Sequence, residues 1–427
     1  MQKSNSVFFI VVVLIMFLSA CGGGHSRASN GTAQDIFQPA QSDSPYKAVV
    51  VDCLSMVNDK PKNTCRLSTL PFIGQIANAP TKADILAQTI VSHPWMATRF
   101  AQVLDQMPND IFQLFRGVTG VVIGANIRPS HYTSDTGAIY LDPADLWLNA
   151  EERATISKTA DFRSDFGNDL IFRTVWRYVN GSQNAWNYYP LDGAISSRSI
   201  ADIAQPIADL LFHELAHAND FMPPALLPTI NTQLSAQAQI NRNAADLISS
   251  DLTARAPLMS ATQFALADVM FSGKTASTAQ KMLTAEQVGL NFEPDGANDS
   301  YNYTSQFEDA AMLFEEVMMK YHFNTDREIA FTDAPSTANG PCSQYVVRWG
   351  VRSRIGNSLV KSRAQIIVQQ ILGVNDASVY FANLAVPRSL VKGVDWCNNL
   401  SSVSTNNNAQ QKLSEKPIRQ IDLIHLY

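Results

Sequence analysis

Charge is scarce in this chain. Only 16% of its 427 residues are Asp, Glu, Lys or Arg, and the net charge is a modest −6. No long basic run or patch is visible, which argues against nucleic acid as a partner. The apolar run at 7–16 is too short to span a bilayer as a mature helix. Cysteines number five and show no close C-x-x-C spacing, which disfavours a cysteine zinc site. Glutamate is also rare, with ten in the chain. No internal repeat is evident. What is abundant is apolar material, 46% of residues, enough for a sizeable core in one large domain or two to three ordinary ones.

The 7–16 run follows Lys3 and ends close to Leu18-Ser19-Ala20-Cys21, so it reads as a secretory h-region. Leu-Ser-Ala-Cys resembles a bacterial lipoprotein lipobox. The resemblance implies a signal peptide at 1–20, cleavage before Cys21, and lipid on the Cys21 thiol and its new amino group. Gly22 rather than Asp after the cysteine resembles lipoproteins sorted to the outer membrane, and so implies a cell-envelope location facing the periplasm. An ordinary signal peptide with a nearby cysteine is the alternative. Four cysteines remain, and an exported compartment favours disulfides. Of three pairings, Cys53–Cys65 with Cys342–Cys397 is the sequence-local one, each loop contributing about 3–4 kcal/mol.

After Cys21, residues 22–45 begin Gly-Gly-Gly and continue rich in Ser, Gln, Ala and Asp, so 21–45 has the composition of a flexible tether. Ordered chain is expected from about Tyr46 to residue 400. A short strand is expected at 48–51, helices over 83–113 broken at Pro94 and Pro108, and strands at 118–123, 137–141 and 170–179. Residues 225–300 read as a helical insertion and 359–372 as a helix between Gly356 and Gly373. The chain from 401 to 427, Ser/Asn/Gln-rich over 401–412, reads as a loose tail.

The informative turn is His213-Glu214-Leu215-Ala216-His217. Histidines four apart share a helix face, with Cβ atoms about 5–6 Å apart. Both imidazoles can then bind one Zn²⁺, and Glu214 can take a proton from water on it. The flanks, Ile207, Leu210, Leu211, Phe212 and Leu215, are those of a buried helix. It is expected to start near Pro206 and stop before Pro223-Pro224. Asp209 and Asp220 lie near the histidine face. Each is a candidate to hold a histidine's other ring nitrogen, with helix capping or solvation as the alternative.

Two histidines leave a catalytic zinc one protein ligand short. A metzincin histidine would fall six after His217, where Pro223 stands, and His322 and His425 are the other downstream histidines. Three glutamates lie on one expected helix at 305–321, with an apolar stripe of Phe307, Ala310, Ala311, Phe314, Val317, Met318 and Tyr321. The segment Glu308-Asp309-Ala310-Ala311 resembles the third-ligand helix of gluzincin metallopeptidases, particularly the anthrax lethal-factor-like group. There the first glutamate is the zinc ligand, which maps onto Glu308. The resemblance spans about 120 residues and rests on short motifs. It departs in the long gap, Glu308 lying 91 positions after His217, and in Met312, where a second acidic residue is common. Ser305-x-x-Glu308 is also a capping box, and Glu315 and Glu316 are rival ligands. The same group has a tyrosine seven residues before its glutamate. That is Tyr301 here, either an oxyanion donor or a packing residue.

The expectation is therefore an α+β, zincin-like fold, a small mixed sheet packed on the HExxH helix with a largely helical remainder. In that fold an edge strand beside the cleft pairs with extended substrate, and 137–141 is the candidate, unless it is an interior strand. The expected function is a lipid-anchored zinc metallopeptidase with one catalytic Zn²⁺ on His213, His217 and Glu308, Glu214 as general base, and a peptide or protein of the cell envelope as substrate. A non-catalytic scaffold or binding module of the same fold is one alternative, a zinc amidase acting on cell-wall peptides another.

Overall fold

The computed structural model describes residues 35–401 except 59, 190, 192, 194, 338 and 339. The expected signal peptide, Cys21, residues 22–34 of the expected tether and the expected tail beyond 401 lie outside the described residues. The chain is mixed α and β, built on two five-stranded sheets.

The first sheet comprises β1 (Gln38–Pro39), β2 (Thr89–Val91), β3 (Gly120–Ile123), β4 (His131–Thr133) and β5 (Ala138–Leu141), in the order β1-β2-β3-β5-β4. Its three central strands are parallel and its outer two antiparallel. Every residue of β3 and β5 is buried, as parallel strands covered on both faces must be. Side-chain alternation divides them between two cores. Val121, Ile123, Ile139 and Leu141 join the main core with helix Ile200–Phe221, while Val122, Ala138 and Tyr140 face Val50 and Leu54.

Four expectations need correction here. The strand expected at 48–51 is instead the helix Val50–Leu54. Its Val50, Cys53 and Leu54 lie at helical spacing against the sheet, so packing overrides the β propensity of three valines. The helical stretch 83–113 contains β2, a buried three-residue strand between Lys82–Ala87 and Pro94–Leu104. Of the tether expected at 21–45, the part from Asp35 onward is built into the fold, because β1 pairs with β2 and Asp35 accepts from the Asn126 backbone and side chain. Finally, β5 at 137–141 is interior; β4 is the edge strand.

The second sheet is antiparallel: β6 (Phe172–Asn180), β7 (Gln183–Asn184), β8 (Asp326–Asp333), β9 (Val347–Arg352) and β10 (Arg388–Ser389), in the order β10-β9-β8-β6-β7. The expected strand at 170–179 is β6 of this sheet. One face, with Phe172, Ile329 and Phe331, packs on the helical insertion through Leu266, Val269 and Phe292.

Four helices matter for the site: α1 (Ile200–Phe221), α2 (Ile248–Arg255), α3 (Gln306–Phe323) and α4 (Ser358–Leu372). Helix α1 begins six residues before Pro206, at a capping box in which Ser199 and Asp202 satisfy each other's backbone N–H groups. Pro206 therefore lies inside the helix, not at its start. Helices α1 and α3 are pinned together by Phe221 on Phe307 and Phe212 on Phe314, with ring centroids 4.8 and 6.4 Å apart. Helix α4 ends on Gly373 at φ 68°, the left-handed conformation that glycine adopts without strain. The disulfides are Cys53–Cys65 and Cys342–Cys397, the sequence-local pairing. Among the described residues no helix is long and apolar enough to cross a membrane.

Candidate metal centre

Helix α1 turns His213 and His217 to one side, and their Nε2 atoms lie 3.2 Å apart. Helix α3 brings Glu308 against them, its Oε2 3.0 Å from His213 Nε2 and 3.3 Å from His217 Nε2. All three side chains are buried. The Ser305 motif serves two ends. Ser305 Oγ caps the backbone, accepting from the Glu308 N–H at 3.1 Å, while the Glu308 carboxylate points away to the histidines.

The donor set fits a small tetrahedral cation. Ligands about 2.0–2.2 Å from zinc stand roughly 3.3 Å from one another, close to the spacings found. The hydrogen-bond chemistry makes the same demand. His213 Nδ1 lies 3.1 Å from Glu315 Oε2, so a neutral His213 carries its proton on Nδ1 and turns the Nε2 lone pair toward Glu308. Converging acceptors need a positive charge between them. With only a proton to supply it, burial opposes protonation of His213, but hydrogen bonds to Glu308 and Glu315 outweigh burial and push its pKa up to about 10. Burial likewise opposes ionisation of Glu308, yet the His217 charge and hydrogen bonds to both histidines hold its carboxyl well below the usual range. A second cluster, Cys342, Asp395 and Cys397, has its two sulfurs joined in a disulfide and cannot ligate through them as thiolates.

With known protein families, curated proteins and solved structures, the chain gives no match. Its site is therefore read from its own atoms.

Glu214, 1% exposed, accepts from the backbone N–H of Tyr132 on the edge strand β4, and its Oε2 has no partner among the described residues. Burial raises its pKa against the pull of the two histidines. Tyr301 is 9% exposed; its ring lies 6.3 Å from that of His213 and 5.0 Å from Phe271. Tyr303 turns elsewhere, giving its hydroxyl to Asp295 at 3.0 Å.

The rival glutamates separate cleanly. Glu315 backs His213; its Oε1 accepts from the Tyr178 hydroxyl and from Arg327 Nη1, both at 2.8 Å. The signal for this was in the sequence, since 308 and 315 are two turns apart on one helix face. Glu316 faces away to Asn298 Nδ2 at 2.8 Å, and burial pushes its carboxyl up to about 8. The aspartates separate too. Asp209 lies carboxyl to carboxyl with Glu315, one link behind His213. Asp220 caps α2, its Oδ1 accepting from the Ser249 N–H at 2.7 Å. Sequence reasoning missed Arg327, Tyr178 and Tyr132, which come from distant strands.

Proposed function

We propose that the chain is a zinc metallopeptidase of zincin-like design, holding one Zn²⁺ on His213, His217 and Glu308. The observation that carries this is the buried triangle of His213 Nε2, His217 Nε2 and Glu308 Oε2, with edges of 3.0 to 3.3 Å, beside a glutamate whose second oxygen is unpartnered. Such an ion, when bound, supplies Lewis acidity that polarises a carbonyl and acidifies water. Glu214 takes the proton of the attacking water on its open Oε2 and passes it to the leaving amine. The Tyr132 N–H orients that carboxylate from the other side. Tyr301 donates its hydroxyl to the developing oxyanion. Extended peptide pairs along β4, the edge strand beside Glu214, and not along β5.

A non-catalytic scaffold would have no use for a buried glutamate with an unmatched oxygen, since leaving one costs free energy. The protein is anchored through lipid on Cys21, so Cys21→Ser is expected to leave the membrane fraction; retention after a salt wash contradicts the anchor. The site is tested by metal content of the purified protein with hydrolysis of a peptide library, with and without chelator. Near one zinc per chain with chelator-sensitive cleavage is expected. Zinc-free protein, or cleavage indifferent to chelator, removes the reading. Zinc with cleavage of cell-wall peptides alone would favour the amidase.

A further inference from the structure

One guanidinium touches both halves of the centre. Arg327, on β8, gives Nη1 to Glu315 Oε1 at 2.8 Å and turns its other edge to Asp299 Oδ2, with Nε at 3.2 Å and Nη2 at 2.9 Å. Glu315 in turn meets His213 Nδ1. Asp299 caps the short turn Ser300–Tyr303, its Oδ1 accepting the Tyr301 N–H at 2.9 Å. The Arg327 side chain is 2% exposed, and its guanidinium carbon lies 4.1 Å from the ring centroid of Trp176 and 5.3 Å from that of Tyr178. Tyr178 stands directly opposite Arg327 across the β6–β8 pair and bonds the same Glu315 oxygen. The planar fork and the aromatic wall leave this cation little freedom, and only such a fork addresses two carboxylates along fixed directions.

We propose that Arg327 is the positioning residue of the centre: by bridging Glu315 and Asp299 it sets, from the second sheet, both the orientation of His213 and the place of Tyr301. The role deepens the metallopeptidase reading and rests on it for its use in catalysis. Without Arg327, Glu315 loses its charged donor and Asp299 the fork that fixes its carboxylate. His213 then presents Nε2 less well, and the turn bearing Tyr301 loosens. A lysine keeps the charge but can address both carboxylates only as a point.

Arg327→Gln and Arg327→Lys in the full-length protein test this with three readouts. Zinc affinity by chelator competition is expected to fall in Arg327→Gln, by up to the about 10–100-fold that follows loss of the direct outer partner of a metal-bound histidine, and to recover in part in Arg327→Lys. The downfield His213 Nδ1–H proton signal of the metal-free protein is expected to move in Arg327→Gln. On peptide, kcat is expected to fall with KM little changed. Wild-type zinc affinity together with an unmoved Nδ1–H signal overturns the proposal. If Arg327→Gln does not fold, Asp299→Asn keeps the shape and loosens the bridge; an unmoved His213 signal there overturns it equally. The Nδ1–H signal needs no metal. A protein that binds no zinc yet shows the shift retains the positioning role and loses the metallopeptidase reading.

Discussion

The two sheets support one site by different means. The first is apolar through its centre, and it reaches Glu214 by a backbone N–H, that of Tyr132. The second carries buried charge. Its Arg327 reaches Glu315 and Asp299, while Glu328, 0% exposed, lies between Arg177 Nε at 2.7 Å and Arg352 Nε at 2.6 Å. A backbone donor survives any ordinary side-chain change at Tyr132, whereas a charge-mediated hold is lost with one residue. Glu214 is thus held by the chain itself, and the orientation of His213 by side chains.

The largest expected effect separates the metal from the chemistry. Glu214→Gln retains the shape and the acceptor for Tyr132 but cannot take a proton. Turnover should fall about 10²–10⁴-fold with zinc stoichiometry unchanged. His213→Ala, His217→Ala and Glu308→Ala should instead lose zinc by metal analysis. A Glu214→Gln protein without zinc would mean that Glu214 serves the metal and that the division between the sheets is wrong.

Next is Glu328→Gln, which removes the shared counter-charge of Arg177 and Arg352 in the second sheet. Breaking a buried pair costs about 3–5 kcal/mol, so the urea midpoint should drop steeply. A drop under about 1 kcal/mol would show that the charged sheet is no more fragile than the apolar one.

A pH series sharpens the contrast. Glu316 is an acid on α3 that the second sheet does not pair; burial raises it to about 8 against Arg327's charge and Asn298's hydrogen bond. From near its ordinary value of 4.5 up to about 8, the folded protein holds a proton that the unfolded chain has released. Stability should therefore decline as pH rises through that window, by at most about 1.4 kcal/mol per pH unit. Glu316→Gln should flatten the decline in urea midpoints between pH 5 and 8; an unchanged slope would place its source elsewhere.

The smallest effect is expected in the apolar sheet. Ile139→Val trims one methylene from a fully buried side chain and should cost about 0.5–1.5 kcal/mol with zinc affinity intact. Weakened zinc binding would mean that the first sheet also positions the ligands.

Local geometry accounts for what was legible in advance. His213, Glu214 and His217 fall on one turn whatever the rest of the chain does, because helical spacing depends on neighbours alone. The apolar stripe of α3 likewise identified the helix that carries Glu308, and turn residues such as Gly373 marked where helices stop. The start of α1 was missed although its capping box, Ser199 with Asp202, is local; the other errors lie where packing between distant segments decides. Val50 and Val51 are helical because the sheet's outer face needs a cover, and Thr89–Val91 is a strand because β1 and β3 flank it. Edge and interior are properties of a sheet, not of a strand, so 137–141 could not reveal that 131–133 would pair outside it.

The sequence by itself determined two histidines on one turn, a glutamate between them, and a second helix with carboxylates at 308 and 315 on one face. Tertiary structure alone decided which carboxylate faces Nε2 and which faces Nδ1, because that depends on how α3 lies across α1. It also brought Arg327, Tyr178 and Tyr132 from separate strands to the site. Their partners are far away in the chain, and a hydrogen bond between distant segments leaves no periodicity to read.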